Sequence, residues 1–194
     1  MTPAAPASSP ATEIHALRPA VTRDDALRTF GGGLMGTARS LALGPLRSIA
    51  DLYVPLDVFR VRVTRGARRE TELLGIDRVT GALDLYRFDD EPGGDAVVTV
   101  TTRNAIGRAL PDAIVRDRLQ TRVARMLFQR SGFFGVRAGA IAIEARVAEL
   151  YVPYWVGFFG RGDEARIVVI DAVRRRVEGP KARRLVYRWL MESR

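Results

Sequence analysis

Leu52-Tyr53-Val54-Pro55, continued by an apolar run that returns as Ile76-Asp77-Arg78-Val79, decides how this chain is read, because the phrase is repeated. In the second half Leu150-Tyr151-Val152-Pro153 leads into Ile170-Asp171-Ala172-Val173. An extended segment, a turn and a second extended segment ending in Asp therefore occur twice in the same order, the signature of one folded unit duplicated. The fold class expected is α+β: two related antiparallel β units with an amphipathic linking helix and a C-terminal helix.

Working outward, Val58, Arg60 and Arg62 alternate with Phe59, Val61 and Val63, the period of two of a strand with one face on a core. Gly66 marks a turn, Leu73 to Val79 returns, and Thr80-Gly81 turns again into Leu83 to Phe88. The acidic loop Asp89 to Asp95 precedes a fourth strand at Val97 to Val100. From Pro111 to Arg130 the period becomes helical, with Val115, Leu119, Val123, Met126 and Leu127 on one face. Residues 132–149 carry both a helical Ala content and a strand-like alternation at Ile141, Ile143, Ala145 and Val147, and we read them as strand. The second unit runs from Tyr151 to Phe159, turns at Gly160 to Asp163, and returns over Ile167 to Val173. After Gly179-Pro180, Leu185, Val186, Trp189 and Leu190 have helical spacing.

Residues 1–22 are rich in Pro, Ala, Ser and Thr and are expected to form a disordered tail. A short helix is expected over Asp24 to Phe30, and Pro45 should break any helix in the apolar stretch Leu34 to Ile49. The domain organisation expected is thus a tail over 1–22, a first β unit over 23–110, and the linking helix, second unit and C-terminal helix over 111–194.

With 194 residues, 47% of them hydrophobic, the chain can bury one sizeable core or two small ones. No uncharged apolar run is long enough to cross a bilayer as a helix, and the first ten residues lack the basic start and apolar centre of a secretory signal, so a cytoplasmic location is expected. The absence of cysteine excludes disulfides, thiolate metal sites and cysteine nucleophiles. The net charge of +9 invites a polyanionic partner. Yet of the 31 basic residues only Lys181 is lysine, a bias more simply explained by GC-rich coding than by phosphate recognition.

Gly31-Gly32-Gly33-Leu34-Met35-Gly36 satisfies G-x-G-x-x-G, but a helical segment precedes it and Pro45 follows, so it reads as a hinge rather than a dinucleotide loop. Asp77 and Asp171 stand at equivalent strand ends. Paired carboxylates can perform acid–base chemistry, but an Asp before a turn ordinarily accepts backbone N–H bonds, with Gly81 supplying a positive φ. They are read as structural turn residues. The acidic loop lacks the ligand spacing of an EF-hand, and the one histidine, His15, lies in the tail, so no metal site, cofactor or catalytic residue is assigned. Pro55 and Pro153 cannot donate to a ladder and should mark sheet edges. Tyr154-Trp155 stands where the first copy has Leu56-Asp57, so the aromatic cluster Tyr151, Tyr154 and Trp155 is confined to the second copy, and these three are the candidate partner-binding anchors. Arg116, Arg118, Arg122, Arg125 and Arg130 on the linking helix are the candidate nucleic-acid contacts.

Val58 to Gly81, ending in Ile76-Asp77-Arg78-Val79-Thr80-Gly81, resembles the second half of a PepSY-type domain, in which a strand, a turn and a returning strand end in V/I-D-x-x-T-G. Ile170-Asp171-Ala172-Val173 matches the first part of that ending and has Arg174-Arg175 where Thr-Gly would stand. The resemblance implies a small α/β module that binds or restrains a partner rather than catalysing. The function expected is a non-catalytic interaction or regulatory module that engages a protein or peptide through an exposed sheet edge; the alternative is sequence-independent nucleic-acid binding through the 111–130 helix.

Overall fold

The computed structural model describes residues 10–65, 67–131, 140–161 and 165–192. Residues 1–9 of the expected tail, the Gly66 turn, residues 132–139 and the Gly162-Asp163 part of the second turn lie outside the described residues. The protein is α+β. In chain order the elements are β1 (Thr12–Leu17), α1 (Arg23–Gly31), α2 (Gly33–Leu43), β2 (Leu46–Arg65), β3 (Arg68–Asp77), β4 (Tyr86–Phe88), a 3-10 turn at Gly94–Ala96, β5 (Val97–Thr102), α3 (Asp112–Ser131), β6 (Ala140–Phe159), β7 (Arg166–Asp171), β8 (Arg176–Val177) and α4 (Pro180–Glu192). The hydrogen-bonded strand order is β4-β3-β2-β6-β1-β5, with β7 also on β6 and β8 on β7.

The chain divides into two compact units. Unit 1 takes the described residues through Val54, Val97–Ile106 and those from Tyr151 on; unit 2 takes Pro55–Ala96 and Gly107–Leu150. This corrects the expected division into 23–110 and 111–194. The reason is that β2 and β6 are each 20 residues long and run from one unit into the other. A boundary read along the sequence therefore cannot coincide with a boundary between cores.

In unit 2, β2 and β3 form an antiparallel hairpin from Leu56↔Asp77 to Arg65↔Arg68, and β4 adds to β3 from Leu73↔Phe88 to Gly75↔Tyr86. The inward-facing Phe59, Val61 and Val63 with Leu74 and Ile76 meet Val115, Leu119 and Val123 of α3. That helix stripe is the one its 3.6-residue period dictates, and each such buried side chain contributes roughly 1.5–3 kcal/mol.

In unit 1, β6 pairs with β7 from Tyr154↔Asp171 to Phe159↔Arg166. Ala26 and Phe30 of α1 pack there on Phe159, Val168 and Ile170. Phe30 meets Phe159 edge-on with centroids 6.0 Å apart, and Gly157 makes room: a Cβ there would lie 3.0 Å from Phe159 and 3.1 Å from Phe30. Thr22 caps α1 through a capping box, its hydroxyl accepting from the Asp25 N–H at 3.2 Å while the Asp25 carboxylate accepts from the Thr22 N–H at 3.1 Å. Helix α2 stops at Gly44-Pro45, and α4 starts with Pro180 at a position where no N–H is needed. Ala182, Leu185 and Val186 of α4 are buried.

Residues 12–17 are the clearest departure from the expected tail. They form β1, paired along its whole length with β5 from Thr12↔Thr102 to Leu17↔Val97, with Ile14, Ala16 and Leu17 buried. His15 is accordingly a strand residue, its Nδ1 3.3 Å from the Thr99 hydroxyl. The six-residue strand is diluted in a Pro/Ala/Ser/Thr-rich window, and its partner lies far away in sequence.

Pro55 and Pro153 do not mark sheet edges; both lie inside long strands that have neighbours on either side in the strand order. Each proline carbonyl accepts a ladder bond, Pro55 from the Arg78 N–H at 2.9 Å and Pro153 from the Ala172 N–H at 3.1 Å. The reciprocal bond needs an N–H that proline lacks. Opposite Pro55, the Arg78 carbonyl instead accepts from Ala109 and Leu110, at 3.0 and 2.9 Å. Opposite Pro153, the Ala172 carbonyl accepts from Ala20 and Val21, at 2.8 and 2.9 Å. In both cases the two donors belong to the loop that enters a helix. The flanking tyrosines match as well, Tyr53 bridging Ala105 and Tyr151 bridging Ala16, both in parallel.

Candidate functional site

Beyond those prolines the two hairpins end in Asp turns. Asp77 Oδ1 accepts from the N–H groups of Val79, Thr80 and Gly81 at 3.2, 2.6 and 2.9 Å, and Oδ2 from Leu83 at 2.9 Å. Asp171 Oδ1 accepts from Val173 and Arg174 at 2.9 and 2.8 Å. Both aspartates are buried, and both carboxylates are occupied by turn amides. Four residues past each Asp the backbone is left-handed: Gly81 has φ 59° and Arg175 has φ 56°. Among the described residues Arg175 is the only non-glycine with a positive φ.

The arginines of α3 serve the first of these turns. Arg118 donates to the Thr80 carbonyl, and Arg122 to the carbonyls of Gly81, at 3.0 Å, and Leu83. Gly81 is required here on two counts, its φ and the lack of room: a Cβ would lie 2.6 Å from Arg118 Cδ. Arg116 reaches the Ile143 and Glu144 carbonyls at 3.5 and 3.3 Å and lies 5.3 Å above the Phe59 ring. Arg125 is exposed, and the Arg130 side chain lies outside the described residues. Three of the five arginines picked out on this helix thus spend their donors on backbone carbonyls of their own unit.

A charge cluster that sequence reasoning missed sits next to this turn in unit 2. Asp57, fully buried, accepts from Arg108 Nη1 at 2.7 Å and Arg146 Nη1 at 3.1 Å, with Arg78 Nη1 at 3.4 Å. Arg78 also donates to Asp112 Oδ1 at 2.7 Å, holding that carboxyl below its ordinary value, and Glu149 pairs with Arg108 and Arg146 at 2.8 and 2.6 Å. Three guanidinium groups and three carboxylates balance, so every acid has a cation and the cluster fastens β2, β6, the loop before α3 and the α3 N-terminus. Within this cluster, Arg78 Nε is buried without a hydrogen-bond partner among the described residues. Asp57 was visible in the sequence only as the residue standing where the other copy has Trp155, and nothing in spacing connects it to Arg78, Arg108 and Arg146.

The aromatic trio is placed differently from an outward anchor. Tyr154 is buried, Tyr151 is half-buried at its bridge to Ala16, and Trp155 is half-buried against the core of unit 1, its indole N–H donating to the Val21 carbonyl at 2.9 Å. The open backbone of unit 1 is elsewhere. Strand β5 stands at the end of the strand order, paired on one side by β1, and its Thr99 and Thr101 side chains are exposed.

No protein-family model, curated protein or solved structure matches this chain. No helix among the described residues is long and apolar enough to cross a membrane.

Proposed function

We propose that the chain is a non-catalytic, PepSY-like interaction module that binds an extended segment of a partner protein along the outer edge of β5. The observation that carries this reading is the composition of that edge: Val97-Val98-Thr99-Val100-Thr101-Thr102 is β-branched at all six positions and has no charge and no proline. Exposed edges are normally blunted by lysine, proline or a bulge, and this one has the chemistry of a strand awaiting a neighbour. The aromatic trio, with Tyr154 buried and Tyr151 and Trp155 half-buried, is not the anchor on this edge. The nucleic-acid alternative is weakened by the commitment of Arg116, Arg118 and Arg122 to internal carbonyls.

We also infer that the chain is built from two copies of one module, β1 through β4 and β5 through β8, with parts exchanged. The helix of one copy covers the hairpin of the other: α3 packs on β2–β3 and α1 on β6–β7. The matched proline ladders, the Tyr53–Ala105 and Tyr151–Ala16 bridges, and the two Asp turns support this. Exchange also accounts for units that take their residues from both halves of the sequence.

The binding proposal is tested by capture from native lysate after nuclease treatment, using the tagged protein and a Thr99→Lys/Thr101→Lys variant with the same melting temperature. Loss of a stoichiometric protein partner in the variant is expected; retention at equal yield sinks the β5 assignment.

A further inference from the structure

The two Asp turns differ in where an arginine stands. Arg118 and Thr29 are matched positions, each nine residues past the first of the two loop amides that bind the carbonyl opposite a proline, Ala109 and Ala20. In unit 2 the Arg118 side chain lies over the turn at Gly81. In unit 1 the matched helix position is Thr29, and the arginine stands on the turn instead, as Arg175. A cavity of about 290 Å³ lies beside this turn, with Thr29, Arg175 and Arg176 on its polar side and Val21, Ile170 and Val177 on its apolar side.

Arg175 holds a backbone conformation that disfavours every residue but glycine, asparagine and aspartate, although glycine serves at the matched position. Its guanidinium is exposed and has no ion pair or hydrogen bond among the described residues, whereas Arg176 is paired with Glu178 at 2.8 Å. The cavity is also lined by Asp25, but that carboxylate is occupied, accepting from the Thr22 hydroxyl at 2.6 Å and from Arg28 at 2.5 Å. A strained, unpaired cation at the mouth of a partly apolar cavity matches an oxyanion carried on a small apolar body.

We propose that this cavity of unit 1 is a binding site for a small ligand or side chain bearing a carboxylate or phosphate, with Arg175 as the anion-binding residue and Val21, Ile170 and Val177 holding the carbon portion. The site is separate from the β5 edge and does not depend on it.

Phenyl phosphate, benzoate and inorganic phosphate are titrated by calorimetry and amide NMR into the full chain and into Arg175→Gly and Thr29→Arg. Arg175→Gly copies the turn at Gly81 and keeps the fold; Thr29→Arg copies Arg118 and fills the cavity. Saturable binding of phenyl phosphate or benzoate is expected, weakened at least about tenfold in both variants. The stronger of the two probes tells a phosphate source from a carboxylate source, and inorganic phosphate binding equally well would remove the role of the apolar wall. No saturable binding of any probe at millimolar concentration, or unchanged binding by Arg175→Gly, would overturn the proposal.

Discussion

Pro55 and Arg78 face each other across the β2–β3 ladder, and the bond that Pro55 cannot make is the one that recruits the loop before α3. The Arg78 carbonyl, left without a strand donor, takes the Ala109 and Leu110 N–H groups, while the Arg78 side chain reaches Asp57 and Asp112. One missing N–H thus positions the entrance of the helix that brings Val115, Leu119 and Val123 to the unit 2 core.

Asp57 should be the most sensitive polar position. Asp57→Asn keeps the shape and removes the charge facing Arg78, Arg108 and Arg146. With Arg78 buried, the loss should be about 3 kcal/mol in denaturant unfolding, the size seen when one partner of a buried pair is removed. Adding Arg78→Leu to Asp57→Leu should cost less than the sum of the single changes.

The two left-handed turn positions should respond in opposite directions. Gly81→Ala meets both an unfavourable φ and Arg118 Cδ at 2.6 Å, and should destabilise by about 1–2 kcal/mol. Arg175→Gly relieves the same conformation, and should leave the melting temperature unchanged or raise it.

Gly157→Ala drives a methyl group against Phe30 and Phe159 and should cost about 1–3 kcal/mol. Leu119 stands in α3 where Phe30 stands in α1, alongside Phe59 where β6 has Gly157. Phe30→Leu in the Gly157→Ala background should therefore recover part of the loss, which thermal unfolding of the single and double variants measures.

Asp25 gives a pH-dependent contribution. The Thr22 hydroxyl and Arg28 hold its carboxyl down at about 2 against an ordinary 3.8. A depressed folded-state value means the stabilisation is complete above the unfolded value and disappears as pH falls through the folded one. The melting-temperature difference between the wild type and Asp25→Asn should be constant above pH 5 and vanish towards pH 2.

Local pattern carried much of this fold. The alternation at Val58 to Val63, the α3 stripe of Val115, Leu119 and Val123, the stop at Gly44-Pro45 and the Asp turns all depend on neighbours a few residues away, and all are legible. What was not legible depends on distant partners. β1 is short and gains its stability from β5, 80 to 90 residues on. The prolines pointed to edges because a proline removes a donor, but the orphaned carbonyls are taken by Ala20, Val21, Ala109 and Leu110. The arginines of α3 have the spacing of a solvated or phosphate-binding face, and only the fold shows that Arg118 and Arg122 bend back to a turn. The Asp57 cluster draws its arginines from β6 and from the segments after β3 and before α3, a convergence no spacing rule encodes.

The most direct test of partner binding is amide hydrogen exchange across Val97–Thr102, with and without the protein captured from lysate. Strand addition requires the outward-facing amides of β5 to slow markedly in the complex, while those of α3 exchange as before. Unchanged exchange over β5, with new protection confined to α3, would contradict the β5 edge and move the binding surface to the arginine-bearing helix.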